Sequence, residues 1–136
     1  MPGKFLVAFD FSPPAKRALD FGLVVAEGFG VSLEMVVVVH PRLFFNSTLP
    51  RHPRALKEAA LAEIVSAKER LGACHPEIRV VCLKGWPSAR IVEYGVSCGA
   101  SLVLIGKAGH GASRGGVGLV AGQVLSQALT SVGVVP

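Results

Sequence analysis

The sequence predicts an α/β fold, an open five-stranded parallel sheet with helices on both faces. Two observations lead there. Short apolar runs such as Phe5-Leu-Val-Ala-Phe9 and Met35 to Val39 are apolar at every position, as in strands buried on both faces. Between these runs lie longer segments whose apolar residues recur at helical spacing, so strands and helices alternate along the chain.

The elements follow in order. Phe5 to Phe9 is the first strand, and Ser12 with Pro13 after it forms an N-cap and first helical position. Ala15, Ala18, Leu19, Gly22, Leu23, Val25 and Ala26 then share a helix face that Gly28 and Gly30 end. Leu33 to Val39 is a second strand, rich in β-branched valine. Pro41 to Pro53 reads as an irregular excursion. Arg54 to Leu71 is the second helix, with Leu56, Ala60, Ile64, Ala67 and Leu71 on one face and Gly72 as its stop. Ile78 to Leu83 is a third strand. Gly85 and Pro87 open a third helix carrying Ala89, Ile91, Val92 and Val96, closed by Gly99. Leu102 to Ile105 is a fourth strand, a glycine-dense stretch leads into a helix over Leu119 to Leu129, and Val132 to Val135 is the last strand. Right-handed crossovers then place helices on both faces.

One domain accounts for all 136 residues; no linker, repeat or low-complexity tract divides them. With 51% hydrophobic and 17% charged residues the chain sits far from the disordered regime. Three cysteines, Cys74, Cys82 and Cys98, form no C-x-x-C pair, so neither a disulfide framework nor a cysteine zinc site is expected, and the cytoplasm is the expected compartment. No apolar run approaches a membrane span, and Met1 to Phe9 lacks the pattern of a signal peptide. Nucleic acid is not an expected partner either. The net charge of +5 is modest, and aromatic residues do not interleave with basic ones.

Charge is unevenly placed. No carboxylate lies between Glu34 and Glu58, where Arg42, Arg51, Arg54 and Lys57 fall, and none follows Glu93, where Lys107 and Arg114 stand. Two readings fit: a solvated basic surface, or two loops sharing a positive field for a phosphorylated ligand.

In an open parallel sheet, ligands bind beyond the carboxyl ends of the strands, where strand order reverses. Asp10-Phe11-Ser12 sets a carboxylate at such an end. It is either a turn or capping aspartate or an acceptor for a ribose hydroxyl or adenine amine. The run Gly106-Lys-Ala-Gly109-His-Gly111, continuing through Ser113 to Gly118, leads into a helix N-terminus. Glycines there allow backbone N–H groups to approach an anion. A ligand-free surface loop has the same composition.

Other chemistries lack their motifs. Val117 stands where a phosphate-loop lysine belongs, and Gly116-Val-Gly118 starts too far from its strand for a dinucleotide fingerprint. His40, His52, His75 and His110 show no metal-ligand spacing, and no nucleophile elbow occurs. No metal site or catalytic residue is expected. A slow nucleotide hydrolase has only Asp10 and His110 to offer as acid or base.

Asp10-Phe11-Ser12 after the first strand resembles the start of a universal stress protein domain. So do Val39-His40 at the end of the second strand, Gly85-x-Pro87, Ile105-Gly106-Lys-Ala-Gly109 and the terminal valine-rich strand. The resemblance runs through nearly the whole chain. It implies a Rossmann-like, adenine nucleotide-binding fold with strand order 3-2-1-4-5. It further implies a non-catalytic stress-response protein and a homodimer joined through Val132 to Val135. ATP or AMP, with or without Mg, is the implied ligand.

Transferred position by position, the resemblance places Ala8, Phe9 and Asp10 near the adenosine and Pro41 at the adenine edge. Ile105 and Gly106 fall on the ribose side, and Gly109, Ser113, Gly118, Leu119 and Val120 at the phosphates. Two departures stand out. The family's nucleotide-binding pattern is G-x2-G-x9-G-[S/T], whereas eight residues separate Gly109 from Gly118 and Leu119 replaces the hydroxyl. Pro41 has no N–H to give to adenine. Both departures predict weakened nucleotide binding, and they leave open the alternative of a dimeric interaction module whose cleft binds no nucleotide.

Overall fold

The computed structural model describes residues 3–40, 52–72, 78–107 and 118–136. Nine elements alternate: β1 (Lys4–Ala8), α1 (Pro13–Phe29), β2 (Ser32–Val39), α2 (Pro53–Leu71), β3 (Arg79–Lys84), α3 (Pro87–Ser97), β4 (Ala100–Gly106), α4 (Leu119–Gln127) and β5 (Ser131–Val135). The strands form one sheet in the order β3-β2-β1-β4-β5, every pair parallel. This is the expected order. Val7 lies opposite Met35 on one side and Leu104 on the other, so β1 is central.

Two cores explain the unbroken apolar strands. Phe5, Val7 and Phe9 point with Met35 and Leu104 toward α1 and α2. Leu6 and Ala8 point with Val36, Val103 and Ile105 toward Ile91 of α3 and Val124 of α4. Alternate residues of one strand thus serve opposite layers, as the period of two requires.

The helix ends are built as the sequence reads. The Ser12 side chain accepts from Ala15 N–H, and Gly30 and Gly72 close α1 and α2 in the left-handed conformation. Not every apolar residue of the helices is buried: Leu71, at the end of the α2 stripe, and Val96 of α3 are exposed, while Ser88 and Gly95 join Ile91 on the buried face of α3.

At the amino ends of the strands, Glu34 is buried on β2. Its carboxylate pairs with Lys4 Nζ at 2.6 Å and accepts from the Tyr94 hydroxyl at 2.5 Å. Burial works against the charged form of Glu34, but the Lys4 and Tyr94 hydrogen bonds outweigh it and hold its pKa below the ordinary 4.5. Burial and the neighbouring carboxylate push Tyr94 up to about 12. The ion pair therefore staples β1, β2 and α3 at the end opposite the candidate site.

Candidate functional site

At the carboxyl end of β1 the chain leaves the sheet abruptly. Phe9 N–H still donates to Val36 O at 2.9 Å, after which Phe11 takes a φ of +65°. A phenylalanine in the left-handed region is strained, a feature that clusters at ligand sites and switch regions. Its ring packs edge-on against Phe9, with centroids 4.8 Å apart. The bend leaves Asp10 exposed while burying Ser12. Asp10 Oδ1 accepts from Ser12 N–H at 3.0 Å and from the Ser12 hydroxyl. Asp10 is thus a turn aspartate, with one oxygen engaged by the residue that caps α1.

The end of β4 meets this turn. Ile105 pairs with Ala8, and the next residue, Gly106, lies under the first turn of α1. A Cβ on Gly106 would stand 2.8 Å from Pro14 Cβ and 2.9 Å from Ala15 N. The missing side chain at 106 therefore lets α1 approach β4.

Lys107 then joins three elements. Its N–H donates to Val135 O of β5 at 2.6 Å, and its carbonyl accepts from Gly118 N–H at 2.7 Å. Gly118 is the N-cap of α4 and brings no capping side chain, so the first-turn amides at Leu119 and Val120 have no side-chain acceptor from the cap. Leu119 is 66% exposed. Ala8, Phe9, Asp10, Ile105, Gly106, Gly118, Leu119 and Val120 therefore gather at one end of the sheet, around the β1–β4 junction where strand order reverses. Pro41, Gly109 and Ser113 lie outside the described residues, as do Cys74, His75 and His110.

Sequence reasoning passed over a second group at the same end. Gly85 N–H donates to Val39 O at 3.0 Å, which sets Trp86 beside His40. Trp86 Nε1 and Ser88 Oγ both donate to Gln123 Oε1 of α4, at 2.9 and 2.8 Å. The available signal was position: Trp86 follows the carboxyl end of a strand, where ligands bind. Among the described residues no three His, Cys, Asp or Glu side chains cluster as a metal site. Burial pushes the Cys82 thiol up, away from reactive thiolate.

A sequence profile described as the Universal stress protein family matches residues 1–136. The chain belongs to this family. Solved structures of universal stress proteins share its fold. UspA from Lactobacillus plantarum superposes with a TM-score of 0.73 at 22% identity, over 98% of this chain and 97% of its own. A universal stress protein solved in complex with cAMP gives 0.71 at 21% identity, over 98% and 96%. One from Archaeoglobus fulgidus in complex with dAMP gives 0.68 at 24% identity, over 100% and 98%. No curated protein sequence matches. Among the described residues, no helix of this universal stress protein is long and apolar enough to cross a membrane.

Proposed function

We propose that this universal stress protein is a non-catalytic, cytoplasmic stress-response protein that binds an adenine nucleotide, ATP or AMP, in the cleft between the carboxyl ends of β1 and β4. The observation carrying this reading is the convergence of the Asp10–Ser12 turn, Gly106 and the uncapped start of α4. A carboxylate has about four lone-pair sites, so the bonds at Asp10 Oδ1 leave acceptor capacity for a ribose hydroxyl. The amides of Leu119 and Val120 carry the positive end of the α4 dipole toward a phosphate. Relatives of the same fold solved with cAMP and dAMP support the choice of ligand class. Pro41, Gly109 and Ser113 complete the proposed set. Binding is weak, because Leu119 lacks the hydroxyl and a lost hydrogen bond to a charged group removes roughly 1.5–3 kcal/mol. A magnesium ion enters on the phosphates; among the described residues no His, Cys, Asp or Glu cluster holds one.

Calorimetric titration with ATP and AMP, with and without magnesium, tests the reading. Heats that saturate in the millimolar range support it, and no heat at millimolar ligand refutes it. Phosphate release no faster than in buffer is expected alongside.

A second, compatible part concerns assembly. β5 pairs only with β4 among the described strands and leaves its outer edge open. Leu129 beside it is 86% exposed and Leu125 is exposed on α4. An open apolar edge is a liability unless paired. Pairing of Val132 to Val135 with a second copy about a twofold axis removes it. If the cleft takes no nucleotide, this dimer surface is the functional one.

A further inference from the structure

Trp86 is the chain's single tryptophan, and two side chains contact its ring. His40 meets it edge-to-face, with centroids 5.5 Å apart and planes at 88°. Gln123 fixes the indole N–H at 2.9 Å, and Gln123 is itself held by Ser88, which is 1% exposed. Despite this bracing, Trp86 belongs to neither core cluster and remains 38% exposed. An edge-to-face contact with one ring covers at most one face of an indole. A partly exposed ring held by two partners can bind a planar ring with little further loss of rotamer freedom.

Its position matters as much. The Gln123 tether puts the indole roughly 6 Å along α4 from Leu119, by the helical rise. The start of α4 and the residue that tethers Trp86 thus lie on the same helix, about one turn apart. The chain next to His40 cannot read a base edge by donation, since Pro41 carries no N–H. Recognition through the π-face remains, and stacking tolerates any base because every base has such a face.

We propose that Trp86, posed by His40 and Gln123, is the base-stacking wall of the cleft. The ligand class is then nucleotides with little discrimination among bases, guanine being taken nearly as well as adenine. This rests on the nucleotide-binding reading above. The test titrates ATP, GTP and inorganic triphosphate into wild type, Trp86→Ala and Trp86→Phe, by calorimetry and by tryptophan emission in the wild type. ATP and GTP are expected to bind within about 5-fold of each other, both weakening about 10-fold in Trp86→Ala and recovering in Trp86→Phe. Triphosphate binding stays unchanged, and ATP quenches the emission while triphosphate does not. Wild-type ATP affinity in Trp86→Ala, or GTP weaker than ATP by more than about 50-fold, overturns the stacking role and leaves nucleotide binding standing. Failure of both ATP and triphosphate to bind wild type overturns the nucleotide reading itself, and the stacking role with it.

Discussion

Gly106 at the end of β4 and Pro14 at the start of α1 occupy one contact: a Cβ added to the glycine would stand 2.8 Å from Pro14 Cβ. Backbone atoms of Pro14 and Ala15 lie almost as near, at 2.9 Å, so no flexible side chain is available to yield. Gly106→Ala must push the first turn of α1 away from the sheet. Overpacking of this kind costs about 1–3 kcal/mol. Urea unfolding is expected to show that loss, and ATP affinity to fall with it, since the displaced turn carries Asp10 and Ser12. A variant as stable as wild type would remove the close approach from the account of the cleft.

Leu119 stands where the family pattern carries a hydroxyl, and its exposure means that a change there does not disturb the core. Leu119→Ser restores a donor beside the α4 amides. ATP affinity is expected to rise about 10-fold, with no change in unfolding midpoint beyond a few tenths of a kcal/mol. Calorimetry of the two proteins side by side decides it.

The Lys4–Glu34–Tyr94 cluster predicts how stability follows pH. Glu34 has a folded pKa below its ordinary 4.5, so its contribution is complete above about pH 4.5 and is lost as pH falls through the lower folded value. Tyr94, raised from 10.0 to about 12, contributes fully below pH 10 and loses its share as pH rises from there to about 12. Tyr94→Phe removes a hydrogen bond to a buried carboxylate, costing roughly 1.5–3 kcal/mol at neutral pH. Denaturant titrations between pH 3 and pH 12 are expected to show that cost, and the alkaline decline to flatten in the variant.

The open edge of β5 predicts a dimer. Sedimentation at micromolar concentration is expected to give twice the 14.2 kDa chain mass. Ser131→Lys, which places a charge at the exposed position of the edge strand, is expected to shift the population to monomer while the far-ultraviolet dichroism stays native. A wild-type protein that sediments as a monomer refutes the pairing.

The sheet was legible because its strands carry short unbroken apolar runs, such as Phe5 to Phe9 and Met35 to Val39, and burial on both faces rewards that pattern. Helix starts and stops were equally plain at Ser12-Pro13, Gly30 and Gly72, where side-chain capping and the left-handed conformation leave few alternatives. The exposure of Leu71 was not legible, because a helical stripe says which residues share a face, not how far the partner layer extends. Asp10 was readable as chemistry in two ways, and only the coordinates distinguish the oxygen taken by Ser12. The bracing of Trp86 by His40 and Gln123 was invisible, because those residues are distant in sequence and meet through the sheet order and helix packing. Gly106 was noticed as a glycine beside a ligand, and its contact with α1 is a further neighbour. Its glycine signal was clear, but nothing in the sequence said that α1 would press on it.

The single bond from Gly118 N–H to the Lys107 carbonyl brings the two stems of the intervening ten-residue insert together within 2.7 Å. A segment whose anchors are clamped in this way is exchangeable. Its closure entropy rises by only about 0.6 kcal/mol for each doubling of length, whatever its composition. Residues can therefore be added or removed between these two posts, Lys107 and Gly118, at small entropic cost to the sheet that holds them.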